Sequence, residues 1–206
     1  MVTASPGRAG ERGRRERAER RERAWRIAAE VPDPELPMLT LADLGVLHGV
    51  EVTPDEAVVA RLMPTYSGCP AVAEMRAEVA ARLRVAGFAD VRVVTVLDPP
   101  WTTDRITDEG RRKLAEHGIA PPGPRRMPGL ATGRTWLSLT TAQAAQAPDP
   151  ARRPSPDPGQ APPAVPCPRC TSADTEELSH FAATACTALR RCRTCLEPFP
   201  HVKDLP

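Results

Sequence analysis

Read from Trp25 onward, the hydrophobic positions alternate between helical and strand periods. Trp25, Ile27, Ala28 and Val31 can share one helical face. The next segment, Val31-Pro32-Asp33-Pro34-Glu35-Leu36-Pro37, must be extended, because each proline removes a donor and disfavours helix at the residue before it. Thr40-Leu41-Ala42-Asp43 predicts a short helix that stops near Gly45, with Thr40 as N-cap and Asp43 reaching back to it. Val50–Thr53 and Ala57–Met63 read as strands joined by the turn Pro54-Asp55-Glu56, hence a hairpin. Val72, Met75, Val79 and Leu83 then recur at helical spacing behind Pro70, with Glu74 in the first turn, Arg82 and Arg84 in the last, and Gly87 as the stop. Val91–Leu97 predicts a strand, and Thr107 can cap a helix running to His117 before Gly118. Helix, hairpin, helix, strand, helix is the order of an α+β chain, a small two-layer α/β domain over residues 24–122.

The flanks differ in composition. Residues 1–23 mix Arg and Glu with few apolar positions and read as a disordered, solvated tail or a frayed helix. Residues 123–165 hold an ambiguous stretch, in which Trp136–Leu139 could be an edge strand, and then a Pro-rich linker that has too few apolar residues to pack a core. Residues 166–206 carry five of the six cysteines. A net charge of +2 sets up no strong field toward nucleic acid or an anionic membrane, so neither is expected as a partner. No apolar run approaches the length of a membrane span, and the N-terminus has no apolar core of a secretory signal. A cytoplasmic location follows, in which thiols stay reduced and cysteines bind metal before they form disulfides.

Cys167-Pro168-Arg169-Cys170 and Cys192-Arg193-Thr194-Cys195 are two CxxC knuckles, 21 residues apart. Each turn gathers two thiolates, and two turns close a tetrahedral shell, which predicts a structural zinc ribbon on Cys167, Cys170, Cys192 and Cys195. A segment this short depends on its metal to fold. His180 and His201 fall outside the filled shell, and Cys186 reads as a small buried hydrophobe.

Cys69 stands apart, just before Pro70 at the start of the best-patterned helix. Free N–H groups and the positive dipole end there favour a thiolate, although a cysteine at a helix start can also be a buried cap. Thr65, Tyr66 and Ser67 bring hydroxyls, and Gly68 allows close backbone approach. His48 and His117 sit in no motif that would make either a base for a thiol hydrolase. The loop Leu97–Asp104 carries Trp101 beside two prolines and reads as an exposed binding surface, or else as a Trp that covers the domain edge.

Asp33-Pro34-Glu35-Leu36-Pro37, Asp43–Leu47, Pro64–Pro70, Asp98–Asp104 and the double-CxxC ribbon together resemble the PaaD-type accessory subunits of phenylacetyl-CoA epoxidase. These fall within the broader iron–sulfur cluster assembly family that carries an Asp-Pro-Glu motif and a single active cysteine. The resemblance covers residues 25–122 and 166–200. It implies a non-catalytic subunit of aerobic phenylacetate degradation that matures or delivers an iron or iron–sulfur centre. Cys69 would handle the metal, Asp33 and Glu35 would shape its site, Thr65 and Ser67 would flank it, and Trp101, Thr102, Thr103 and Asp104 would form a docking loop. Implied partners are the di-iron oxygenase and the iron–sulfur flavoprotein reductase. One cysteine does not fill a cluster's four-ligand shell, so a homodimer or a complex with a client is expected. The alternative is a scaffold subunit that holds the oxygenase together through the ribbon and the Trp101 loop. Two departures stand out: Arg105 replaces an expected aromatic, and the C-terminus lacks the extra cysteine of many relatives.

Overall fold

The computed structural model describes residues 6–123 and 164–203; the Trp136–Leu139 strand and most of the Pro-rich linker expected from the sequence lie outside them. A three-stranded sheet is built from β1 (Leu47–Val52), β2 (Val58–Leu62) and β3 (Val91–Thr95), in the order β1-β2-β3. β1 and β2 form the antiparallel hairpin, and β2 and β3 run parallel. A parallel pair needs a crossover, which α2 (Val72–Val85) supplies. Alternation along the strands turns Val58, Ala60, Leu62, Val91 and Val93 into the core. On the other face, Arg61 donates to Glu51 across the hairpin at 2.8 Å. One buried face and one solvated face make a two-layer fold, with helices on the buried side only.

The Arg/Glu-rich N-terminus differs most from its sequence reading. Instead of a solvated tail, Pro6–Ala29 forms one long helix, α1. Its C-terminal part packs on β1, β2 and α2, and Ala24 and Ala28 are fully buried. The guanidinium groups of Arg20 and Arg23 lie 4.9 and 5.3 Å from the centre of the buried Phe88 ring, a cation–π arrangement. Arg15 pairs with Glu19 one turn on, at 2.9 Å. These alanine and arginine contacts hold a helix that a count of large apolar residues overlooks.

Thr40–Gly45 is likewise a capped turn rather than a helix. The Thr40 hydroxyl accepts the Asp43 N–H at 3.1 Å and the Asp43 carboxylate accepts the Thr40 N–H at 2.9 Å. The reciprocal box therefore forms, but the chain leaves at Gly45 with φ 65°, where a Cβ would overlap the Arg105 carbonyl. Burial alone would raise the Asp43 pKa, yet the hydrogen bonds from Lys113 and from Thr40 outweigh it and hold the carboxyl below its ordinary value. Lys113 lies on α3 (Asp108–Glu116), which starts at Thr107 as expected, with the Thr107 hydroxyl accepting the Gly110 N–H at 3.0 Å.

The C-terminal unit is an antiparallel sheet of β4 (Thr175–Ser179), β5 (Thr187–Cys192) and β6 (Pro198–Val202). It docks directly on the α/β unit. Ala120 donates to Pro200 at 2.8 Å and accepts from Val202 at 3.1 Å. Val202 enters the main core, while Phe199, Cys167, Cys192, Val165 and Ala120 form a second one.

Candidate functional site

The Asp-Pro-Glu segment is a rigid side-chain turn. Asp33 is buried, and its Oδ1 accepts the N–H groups of Glu35 at 2.9 Å and Leu36 at 2.8 Å. The Asp33 N–H donates to Leu39 at 2.9 Å, closing the loop from the other side. This fixes the backbone of Glu35, whose side chain is half-buried.

Cys69 lies at the mouth of α2. The helix begins at Val72 rather than Pro70, and the Cys69 N–H donates to Tyr66 at 3.2 Å in the preceding turn. The thiol is half-buried and accepts the Ala71 N–H. Helix-end stabilisation of a thiolate is therefore present, but it does not win. Burial pushes the Cys69 thiol up, the Ala71 N–H pulls it down, and Glu35, Asp33 and Cys186 push it up again, leaving a net rise. The expected thiolate is a thiol in the metal-free chain, held protonated first by burial and then by the neighbouring carboxylates and Cys186.

Cys186 is the residue that sequence reading missed. It is not a passive hydrophobe of the ribbon: its Sγ faces Glu35 Oε2 at 4.0 Å, across 151 residues of chain. The Thr184 hydroxyl lies 3.1 Å from the same sulfur, and the Lys203 N–H donates to the Cys186 carbonyl at 2.9 Å. Burial raises the Cys186 thiol, the Thr184 hydroxyl lowers it, and Glu35 and Asp33 raise it further. Tyr66 shares this environment, since its phenol is raised by burial and by Cys69, Glu35 and Cys186. Two thiols and two carboxylates, drawn from the Asp-Pro-Glu turn, the α2 entrance and the ribbon, thus lie within electrostatic reach of one another.

Thr65 and Ser67 face elsewhere. With Pro64, Tyr66, Leu97 and Trp101 they line an open cleft of about 240 Å³ beside the Cys69 turn. Trp101 is not the exposed probe that its prolines suggested. The indole is 3 % exposed, and its N–H donates to the Leu44 carbonyl at 2.9 Å. Thr103 is buried as well, and its carbonyl accepts from Arg111 at 2.8 Å; Thr102 is half-buried and Asp104 exposed. The loop is anchored to the fold, and the exposed apolar side chain beside it is Leu97. Trp101→Ala is expected to cost about 3–5 kcal/mol in a denaturant titration. Trp101→Phe, which fills the space but leaves the Leu44 carbonyl unpaired, is expected to cost about 1–3 kcal/mol.

The ribbon cysteines converge. Their four Sγ atoms all lie within 4.8 Å of one another, with Cys167 to Cys195 at 3.7 Å and Cys170 to Cys192 at 3.5 Å. A disulfide needs about 2.05 Å, whereas a metal–sulfur bond of about 2.3 Å sets tetrahedral edges of about 3.8 Å. Cys192 Sγ also accepts the Cys195 N–H at 3.4 Å, which pushes this thiol down to about 6. The geometry is that of a four-thiol metal site.

Both halves match known families. A model described as an iron-sulfur cluster assembly protein matches residues 22–96, and one described as the PaaD zinc beta ribbon domain matches residues 151–203. A protein of Escherichia coli K12, named as one of the subunits of a "Putative 1,2-phenylacetyl-CoA epoxidase", is 37 % identical over 179 residues, which is 87 % of this chain and 90 % of that one. The chain belongs to the PaaD family. Two solved structures resemble the α/β part of this PaaD-family chain. One is a domain of unknown function from Bacillus anthracis, with a TM-score of 0.45 and 23 % identity over 48 % of this chain and 94 % of that one. The other is a conserved hypothetical protein from Thermotoga maritima, with a TM-score of 0.39 and 26 % identity over 45 % of this chain and 91 % of that one. The two family matches fall on the two units whose docking brings Cys186 to the Asp-Pro-Glu turn of this PaaD-family member.

Proposed function

We propose that this chain is an accessory subunit of the phenylacetyl-CoA epoxidase system in phenylacetate degradation, where it matures or delivers an iron or iron–sulfur centre through Cys69. The observation that carries the reading is the setting of Cys69, a half-buried thiol in a field of carboxylates. Among the described residues no histidine hydrogen-bonds Cys69; His48, His117 and His180 are exposed, and His201 is buried on β6. A nucleophile needs a base to take its proton. A metal carrier needs donors whose charge is balanced only when a cation arrives, and thiols among carboxylates supply that.

The ribbon fits zinc, which takes four thiolates in a tetrahedron. Cys167, Cys170, Cys192 and Cys195 would hold it, and a closed shell gives that ion a structural role. The family and the E. coli relative support other epoxidase subunits as partners, with the di-iron oxygenase and the iron–sulfur flavoprotein reductase as clients. A cluster shared by Cys69 of two copies would require a transient homodimer.

A host deleted for this gene tests the reading. The remaining epoxidase subunits should still co-purify as a complex, with activity that returns when the chain is restored. Collapse of the complex in its absence would instead make the chain a scaffold.

Asp33 carries a separate expectation. Burial raises its carboxyl above the ordinary 3.8, against the pull of the Leu36 and Glu35 N–H groups, and Glu74 adds to the rise. A raised folded-state value means that the native protein binds the proton better than the unfolded chain. Stability from this group is therefore full below about 3.8 and is lost as pH rises through the folded value. Asp33→Asn keeps the acceptor for both N–H groups and removes the charge. It should raise Tm at neutral pH, and the gap from wild type should close as pH is lowered, while maturation falls. An unchanged or lower Tm at neutral pH would contradict the assigned cost of the buried charge.

A further inference from the structure

The cluster around the Asp-Pro-Glu turn lacks a counter-charge among the described residues. Among the described residues Asp33 takes two backbone N–H groups, the sole side-chain partner of Glu35 is Cys186, and neither carboxylate has a Lys, Arg or His beside it. Several other acidic groups of this molecule are matched: Glu51 by Arg61, Asp43 by Lys113, Glu176 by Arg191 and Arg193. Lys203, whose backbone is bonded to Cys186, sets its ammonium over the Phe181 ring at 4.4 Å. Cys186 therefore faces a carboxylate that has no cation beside it among the described residues, and Cys69 lies within electrostatic reach of both.

The thiols come from different units. Cys69 is fixed at the entrance of α2, and Cys186 is carried on the ribbon, 7 % exposed and oriented by the Thr184 hydroxyl. The ribbon is held in place by the Ala120 hydrogen bonds and the entry of Val202 into the main core, so the juxtaposition is built into the docking. We propose that Cys186 and Glu35 are ligands of the same cation site as Cys69, a two-thiolate, one-carboxylate pocket shared between the two units that takes a ferrous ion. This rests on the reading of Cys69 as the metal-handling thiol.

Donor chemistry selects the ion. Magnesium and calcium take oxygen donors and reject thiols, and cuprous ion prefers sulfur alone. A mixed sulfur and carboxylate set suits a borderline divalent cation such as ferrous iron, with zinc as its competitor. These donors are more widely spaced than those of the ribbon, the one group of the described residues whose atoms all lie within 4.8 Å. Cys69 and Glu35 are only half-buried, so rotamer changes can draw them onto an ion and release it again. An open pocket of this kind loads reversibly, as delivery requires, whereas the closed ribbon retains its metal. The ribbon thereby becomes part of the carrier site as well as a support for it.

The test is anaerobic equilibrium dialysis of the full chain, its ribbon zinc-loaded, against ferrous sulfate, with iron and zinc counted separately. Wild type should take up iron beyond the ribbon's zinc. Cys186→Ser and Glu35→Gln should each weaken that uptake at least ~10-fold with zinc unchanged, a step of about 1.4 kcal/mol. Glu35→Gln lies outside the ribbon and decides the matter if Cys186→Ser loses zinc. Iron uptake equal to wild type in a zinc-replete Cys186→Ser or Glu35→Gln protein overturns the shared pocket. If Cys69→Ser alone abolishes uptake, the Cys69 reading survives and the shared pocket does not. A wild-type chain that takes no iron overturns both.

Discussion

In a host whose own copy is deleted, Cys69→Ala is expected to leave phenylacetyl-CoA epoxidase activity at the level of the deletion, a loss of at least ~10-fold, while the variant accumulates and melts like wild type. The structure explains why the effect should divide in this way. Cys69 is half-buried, and its backbone bonds to Tyr66 and Val72 do not depend on the sulfur. Removing a thiol already disfavoured as an anion by Glu35 and Asp33 takes away little packing and no ion pair. Losses of stability usually trace to cavities, unpaired buried groups or broken networks, and this substitution creates none of those on a large scale. Cys69→Ser should behave as Cys69→Ala does, because a hydroxyl keeps the size but loses the soft donor. Full epoxidase activity with either variant would remove Cys69 from the account.

Metal removal is expected to produce the largest structural effect. Chelation, or Cys192→Ser, should unfold residues 167–202, with loss of hydrogen-exchange protection across β4, β5 and β6. The apparent free energy of binding structural zinc in comparable small units is about 10–16 kcal/mol, far above what this sheet can recover from its own apolar contacts. Its small core is Phe199, Val165 and Ala120 around two of the metal-site cysteines. The loss should spread. Val202 would leave the main core and Ala120 would lose both of its partners, so the α/β unit should unfold at lower denaturant while still folded in water. Ribbon strands that stay protected without metal would show that their own packing suffices.

Local signals were strong where one element decides its own structure. The β1–β2 hairpin, the Thr107 cap and the α2 stripe of Met75, Val79 and Leu83 could be read from residue spacing, and all form. The four ribbon cysteines were legible because a CxxC turn gathers its ligands within four residues. What the sequence hid depends on distant partners. The last turn of the N-terminal helix was legible in the face of Trp25, Ile27 and Ala28, but the rest is held by Arg20 and Arg23 against Phe88, more than sixty residues away. Trp101 is buried because the Leu44 carbonyl, 57 residues earlier, receives its N–H. Cys186 meets Glu35 only after two separately patterned units dock. The sign of the Cys69 shift was hidden for the same reason. A helix end is visible in sequence, whereas the burial that outweighs it and the carboxylates that add to the rise arrive through the fold.

Delivery of a metal centre through Cys69 is tested on the epoxidase subunits proposed as clients. The most direct measurement is the iron and acid-labile sulfide content of the oxygenase and reductase subunits, purified anaerobically from cells carrying either wild type or Cys69→Ala. At least one client should be iron-deficient in the Cys69→Ala cells, with its protein level unchanged. Full metal occupancy of every client in both strains would contradict it.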